Sequence, residues 1–343
     1  MFVFNFKNIT LMPRLLNLKL GGKCNLGCSH CHCEPSNFSF NPDIIPYINK
    51  QNYQRITFSG GEPLLYINTI KNIISQLEIK PIYRIVTNGT LLTKEIVDWL
   101  NQYDFRVIIS YDGSRSNRDS SIEPLWENAK YLKNFGFSVC CYPGNMGFGF
   151  IFRDIQELKD KYQLTNNQTP PIGQLINFLH QTDYASNNLI SKKDVQDYLD
   201  QIQIQLDYLL TCYANGYPLA QSYLLREMLK KWYMPKKFQY GCKCCNEEVH
   251  ALTLDGRFLL CPYGHLFIGD IYKGIDFNKV NSFIPIRCQS CSIWSICRNT
   301  CIANITENEC IISKEMNKYF NKRIDELNIR EKINKDLEES FYL

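Results

Sequence analysis

Cysteine sets the chemistry open to this sequence. Cys24, Cys28 and Cys31 stand in the run Cys-Asn-Leu-Gly-Cys-Ser-His-Cys. Far downstream come Cys288, Cys291, Cys297, Cys301 and Cys310, preceded by Cys242, Cys244, Cys245 and Cys261. Of 343 residues, 16 are Cys and 5 are His, which tilts any ligand set toward thiolate. Thiolates at this density hold iron–sulfur clusters or structural zinc. Three of them in one short loop can hold three irons of a cubane. The fourth iron then has no protein ligand, and a substrate or cofactor can bind it there. Zinc, or three small packing thiols, is the competing reading of the triad on its own.

The elements that must position this loop are legible around it. Leu15–Leu20, Arg55–Ser59, Tyr83–Thr87, Arg106–Tyr111 and Phe137–Tyr142 read as strands, with a sixth at Gln174–Phe178. Tyr66–Leu77, Lys94–Asn101, Pro124–Asn134 and Asp154–Tyr162 carry helical periodicity between them. Repeated strand–helix units build a parallel sheet with right-handed crossovers, here with six units rather than the eight of a closed barrel. Past residue 190 the pattern changes to helices at Lys192–Ala214 and Leu219–Lys231. Short strands at Val249–Leu254 and Phe258–Leu260 then fall within a Cys-rich segment. The expected division is a barrel over 14–237, a small Cys-rich domain over 238–312 and a charged, helical tail over 313–343.

Bulk properties narrow the setting. Hydrophobic residues make up 45% of the chain, enough for a full core. The net charge of +4 comes from 38 basic and 34 acidic residues spread along the chain, so nothing argues for nucleic acid. The apolar N-terminus is broken by Lys7, Arg14 and Lys19 and lacks the layout of a signal peptide. No run is long enough to span a bilayer. A cytoplasmic protein is expected, and in that compartment so many cysteines point to metal rather than disulfides.

The spacing C-x3-C-x2-C after the first strand resembles the radical S-adenosylmethionine superfamily. Three further segments fall where that family has them. Strand two ends in Ser59-Gly60-Gly61-Glu62-Pro63, strand three in Thr87-Asn88-Gly89, and strand four in Ser110-Tyr111-Asp112-Gly113. The resemblance implies a partial (β/α)6 barrel, TIM-like, with the cluster at the C-terminal ends of its strands. It implies that Gly60, Gly61 and Glu62 hold the methionine ammonium and that Asn88 and Ser110 touch the ribose or the methionine carboxylate. The aromatic residue usual before the third Cys is His30 here, placed near the adenine. For the arginine that meets the methionine carboxylate, Arg115 and Arg118 are near, neither at the family's offset, and Arg118 is the favoured one. The reaction implied is reductive cleavage of S-adenosylmethionine to a 5′-deoxyadenosyl radical, which abstracts hydrogen from an unactivated C–H bond. The protein positions the cofactor and excludes water.

The C-terminal run Cys288-x2-Cys291-x5-Cys297-x3-Cys301, closed by Cys310, resembles the SPASM extension of the same superfamily. That resemblance implies two auxiliary [4Fe–4S] clusters. The first would take two of Cys242, Cys244 and Cys245, with Cys261 and Cys301. The second would take Cys288, Cys291, Cys297 and Cys310. Cys33, Cys140, Cys141 and Cys212 read as small packing residues. SPASM proteins mostly modify peptides, and Pro262 stands where the sulfatase-maturing branch has an Asp after the Gly-x4-Cys cysteine. The expected function is therefore maturation of a ribosomally made peptide or protein by crosslinking, epimerisation or oxidation. The reaction needs an electron donor such as flavodoxin or ferredoxin. Only about fourteen residues precede the first strand, so leader recognition is expected either from a separate leader-binding protein or from the barrel and cluster domains themselves. The rival readings are a radical enzyme acting on a small metabolite and a non-catalytic iron–sulfur or zinc-stapled binding protein.

Overall fold

The structure is a computed structural model. It describes residues 15–28, 31, 33, 36–112, 127–141, 154, 157, 160–161, 174–178, 191–219, 222–234, 249–261, 266–282, 288, 291–297 and 307–339. Six parallel strands lie side by side in sequence order: β1 (Leu15–Lys19), β2 (Arg55–Ser59), β3 (Ile82–Thr87), β4 (Arg106–Ser110), β5 (Phe135–Cys141) and β6 (Gln174–Phe178). This is the strand order of a partial (β/α)6 barrel. Each of the six strands expected from sequence is present, with ends shifted by at most two residues.

Period-two alternation decides which face of the sheet is apolar. Leu16, Leu18, Ile56, Phe58, Ile85, Val107 and Ile109 are fully buried and belong to one core. Against them pack α1 (Ile44–Gln51), α2 (Ile67–Ser75) and α3 (Lys94–Gln102), through Ile44, Ile48, Ile70, Ile73, Val97 and Leu100. The opposite face of the same strands carries Asn17, Lys19, Thr57 and Ser59. The inner face of β1 and β2 is therefore polar, and Lys19 on it is only 2% exposed. Ser59 donates to the Asn17 side chain at 2.6 Å across the β1–β2 pair. The helix α3 starts where the Thr93 hydroxyl accepts from Ile96 N–H, and α1 stops where Asn52 turns left-handed.

The structure extends this sheet on a side that the strand pattern leaves open. The strand β7 (Val249–Thr253) pairs in parallel with β1, opposite β2, and β8 (Arg257–Leu259), β9 (Phe267–Asp270) and β10 (Gly274–Ile275) continue antiparallel. The first strand thus becomes internal rather than an edge. Its remaining N–H and C=O groups would otherwise be open to adventitious pairing. A buried polar cluster secures the join. His250 of β7 meets the Tyr53 hydroxyl at 2.5 Å and the Tyr47 hydroxyl at 3.4 Å, with Phe258 edge-on to its ring.

A second core is wholly helical. The helix α4 (Lys192–Ala214) opens on a capping box between Ser191 and Asp194. It buries Val195, Tyr198, Leu199, Ile202, Leu206, Leu210 and Tyr213, a stripe at helical spacing. After α5 (Tyr223–Trp232) come α6 (Phe277–Ser282) and α7 (Trp294–Cys297), followed by the tail helices α8 (Glu307–Glu326) and α9 (Arg330–Glu339). The tail helices lie on α4 and α5 through Ile312, Met316, Phe320, Ile324, Ile333 and Leu337. Asp207 on α4 takes both the Arg323 guanidinium and the Tyr319 hydroxyl of α8, each at 2.7 Å. The charged tail therefore has an apolar stripe with a defined partner.

Burial at His250 makes stability depend on pH. Desolvation lowers the His250 pKa from 6.5 to about 4. The unfolded chain takes up this proton near the ordinary value, whereas the folded chain does not until about 4. Stability from this group is thus complete above about 6.5 and lost as pH falls toward 4. The full difference is about 3 kcal/mol, at about 1.4 kcal/mol per pKa unit. Urea midpoints of the native chain should fall across this interval more steeply than those of H250N. Parallel curves for the two proteins would show that His250 is not buried in its neutral form.

Candidate active site

The loop after β1 and the turns after β2 and β3 meet at the C-terminal ends of their strands. The chain leaves β1 through Gly21, Gly22 and Lys23, and here the second turn locks onto it. Gly61 N–H donates to the Gly21 carbonyl and Glu62 N–H to the Lys23 carbonyl, each at 2.8 Å. The fit leaves no room for side chains. A Cβ on Gly61 would lie 2.3 Å from the Lys23 oxygen, and one on Gly60 would lie 2.5 Å from the Gly21 oxygen. The paired glycines are thus required by contact with the cysteine loop, before any ligand is considered.

Glu62 binds the third turn to the first two. It is fully buried, and its carboxylate accepts Leu64 N–H at 2.9 Å, the Thr87 hydroxyl at 2.7 Å and Asn88 N–H at 2.7 Å. A carboxylate offers about four acceptor positions, and three are filled here by neighbouring strand ends. Such charge-assisted bonds are the stronger kind, roughly 1.5–3 kcal/mol each. The Thr87 hydroxyl in turn accepts Gly89 N–H at 2.9 Å.

Around the cysteines, N–H groups are aimed at sulfur. Leu26 N–H lies 3.4 Å from the Cys24 sulfur, Cys33 N–H lies 3.4 Å from the Cys31 sulfur, and the Asn88 amide lies 3.7 Å from the Cys24 sulfur. Cys24 is exposed as a residue, but its thiol is partly shielded. Burial pushes the Cys24 thiol up and the nearby Glu62 carboxylate adds to this, while Leu26 N–H and Asn88 pull it down. A metal that displaces the proton relieves the cost. Cys28 and Cys31 are half-buried, and Cys31 N–H bonds to the Cys28 carbonyl at 3.0 Å. Among the described residues no three His, Cys, Asp or Glu side chains converge on one ion. A cubane makes no such demand, because each of its cysteines ligates a different iron. Three thiols on one loop, with N–H donors directed at them, suit such a cluster.

Several participants carry no signal in the sequence. Asn25 and Thr90 connect the cysteine loop to the third turn. The Asn25 amide donates to the Thr90 hydroxyl at 2.7 Å, and the Asn88 amide donates to Asn25 at 3.0 Å. Cys33, expected to be a packing residue, donates its thiol to the Gly60 carbonyl at 3.2 Å and so links the loop to the second turn. Tyr66 places its hydroxyl 3.3 Å from Lys23 N–H and against Gly21. Each is an ordinary loop residue by type, and only its long-range partner reveals its use.

Ser110 ends β4 on the polar inner face, half-buried, beside the end of β3. In the C-terminal array, Cys261 and Cys288 are buried, and Cys291, Cys297 and Cys310 are half-buried. Cys291 N–H bonds to the Cys288 carbonyl at 3.3 Å, and Cys297 ends α7. His30, Arg118, Cys242, Cys244, Cys245 and Cys301 lie outside the described residues.

Residues 18–161 match the family described as the Radical SAM superfamily. This segment is a radical SAM domain. It holds the cysteine loop and the two turns interlocked with it. The chain is 30% identical over 160 residues to the radical SAM cyclopropyl synthase TigE of Paramaledivibacter caminithermalis, a match covering 35% of this chain and 34% of that protein. It is also 30% identical over 101 residues to an S-adenosylmethionine-dependent nucleotide dehydratase of a Thermoplasmatales archaeon, covering 25% of this chain and 36% of that protein. The chain spans 40% or less of the length of the curated relatives it matches. A solved structure of anSMEcpe with bound AdoMet and the Cp18Cys peptide shares the fold of the radical SAM domain and of the segments after it. Its TM-score is 0.62 at 17% identity, over 92% of this chain and 98% of that one.

Glu62→Gln tests the brace within the radical SAM domain. An amide that keeps its oxygen toward Leu64 and Thr87 must turn its NH2 toward Asn88 N–H, so two donors face each other. A loss of about 2–3 kcal/mol is expected in urea unfolding, with less iron taken up per chain. An unchanged midpoint would show that the carboxylate is not the tie between the turns.

Proposed function

We propose that this chain is a radical S-adenosylmethionine enzyme that modifies a ribosomally made peptide or protein in the cytoplasm. The observation that carries the reading is the convergence of the cysteine loop with the Gly60–Glu62 and Asn88 turns at three adjacent strand ends. When bound, a [4Fe–4S] cluster supplies the electron that cleaves S-adenosylmethionine and yields the 5′-deoxyadenosyl radical. In this reading Cys24, Cys28 and Cys31 are the cluster ligands, and their number leaves one iron for the methionine group.

Gly60, Gly61 and Glu62 present the backbone on which the methionine ammonium rests. Glu62, braced by three donors, fixes that backbone. Ser110, on the inner face, is proposed to meet the ribose or carboxylate end; His30 is proposed as the adenine contact and Arg118 as the carboxylate contact from the family resemblance alone. The likeness in fold to a structure that holds a peptide supports a peptide substrate. The match to a nucleotide dehydratase keeps a small-metabolite substrate as the second reading.

The C-terminal cysteines are proposed to hold two auxiliary clusters. One would use two of Cys242, Cys244 and Cys245, with Cys261 and Cys301; the other would use Cys288, Cys291, Cys297 and Cys310. The proposed division is a barrel over 14–237, a cluster domain over 238–312 and a terminal helical segment over 313–343. A flavodoxin- or ferredoxin-like donor and a separate leader-binding protein complete the proposed partners.

Anaerobically reconstituted protein, reduced and given S-adenosylmethionine, should release 5′-deoxyadenosine, and Cys24→Ala, Cys28→Ala or Cys31→Ala should abolish it. A native chain loaded with iron that forms none would refute the radical reading. Iron should approach about twelve atoms per chain for three cubanes, and about four would remove the auxiliary clusters. Co-expression with a short peptide encoded beside the gene, followed by mass analysis, separates the substrates. Loss of two hydrogens marks a crosslink, whereas a peptide unchanged in both mass and stereochemistry favours the small-metabolite reading.

A further inference from the structure

Asn88 is expected from the family resemblance to touch the ribose or the methionine carboxylate, and in the structure its side-chain amide is engaged by the protein itself. Its amide oxygen accepts Thr90 N–H at 2.9 Å and the Thr90 hydroxyl at 2.7 Å. A backbone N–H can only donate, so the oxygen must lie on that side and the NH2 on the other. The NH2 donates to the Asn25 side chain at 3.0 Å and reaches the Cys24 sulfur at 3.7 Å. Asn25 closes a ring by donating to the same Thr90 hydroxyl at 2.7 Å. The three side chains hold one another in a single orientation, which aims one N–H of Asn88 at sulfur. Asn88 is 7% exposed, and its backbone N–H is held by Glu62. Each hydrogen and the oxygen of its amide are thus taken up within the protein.

We infer that Asn88 is a positioning residue for the cluster, orienting and electrostatically tuning the Cys24 ligand through its side-chain amide rather than contacting the nucleoside. The inference rests on the reading of Cys24, Cys28 and Cys31 as cluster ligands. A donor to a ligating sulfur stabilises the more negative, reduced cluster and so raises its reduction potential. The amide makes the cluster easier to reduce, and the Asn25–Thr90 ring keeps it in place.

The test is the midpoint potential of the N-terminal cluster without S-adenosylmethionine, followed by electron paramagnetic resonance. The protein is the full chain with the C-terminal cysteines intact, loaded with iron and sulfide. Asn88→Ala removes the donor. Asn88→Asp keeps the acceptor for Thr90, removes the donor and adds negative charge. Both should lower the potential, Asn88→Asp further. At a fixed potential near the native midpoint, a roughly tenfold lower ratio of reduced to oxidised cluster is expected for Asn88→Ala, equivalent to about 59 mV for one electron. A loaded variant with an unmoved potential and weakened S-adenosylmethionine binding would overturn the inference and return Asn88 to the nucleoside. If neither variant loads, the native protein decides. With 15N in the asparagine side-chain amides, pulsed spectra of the reduced cluster should show a weakly coupled nitrogen, and its absence would overturn the inference. A native chain that takes up no iron at Cys24, Cys28 and Cys31 would sink the functional reading itself, and this inference with it. An unmoved potential in a loaded variant sinks this inference alone.

Discussion

The carboxylate of Glu62 is the constraint on which the top of the barrel depends. Strand ends in a parallel sheet are separate loops with no reason of their own to agree. A fully buried negative charge forces agreement, because it is tolerable only when surrounded by donors. Here those donors come from the turn that carries Glu62 and from the end of β3, while the backbone of the same turn is bonded to the cysteine loop. Three loops far apart in sequence are therefore held in one geometry. The glycines before Glu62 serve the same end by allowing backbone to lie against backbone.

Around this brace the chain separates its tasks by face and by layer. The helix-facing side of the sheet is apolar and gives stability, whereas the inward side of β1 and β2 is polar. Lys19 shows the contrast within one strand, since it follows Leu18 directly yet lies among polar neighbours. The helical core of α4, α5, α8 and α9 has its own apolar stripe and its own polar ties at Asp207 and Asp336, the latter accepting the Tyr213 hydroxyl. It needs nothing from the site to form.

Much of this was legible in the sequence because alternation and helical periodicity are local signals. The six strands and the helix over Lys192–Ala214 follow from them directly. The helix over Ile44–Gln51 was not singled out, since Pro46 reads as a breaker until it is seen to occupy the first turn, where its missing N–H costs nothing. The pairing of β7 with β1 was not legible, because no local property of Val249–Thr253 names a partner so distant. The same holds at the site. Cys24, Cys28 and Cys31 announce themselves by type and spacing, but Asn25, Thr90 and Cys33 do not, since a polar loop residue becomes informative only once its partner is known. Asn88 was visible as a candidate, but its orientation was set by Thr90 two residues away.

The place of β7 bears on the order in which the molecule can be made. The cysteine loop leaves β1, and β1 is flanked on one side by β2 and on the other by a strand that lies far downstream, at Val249–Thr253. During synthesis the first flank is available early. The second arrives only after Val249–Thr253 has emerged, so closing it requires a contact between residues far apart in the chain, a slow, high-contact-order step. Until then the thiols stand on a strand with one bare edge, exposed to oxidation and to stray pairing. A cell that makes this protein has reason to shield that loop from early in translation and to deliver iron to it late.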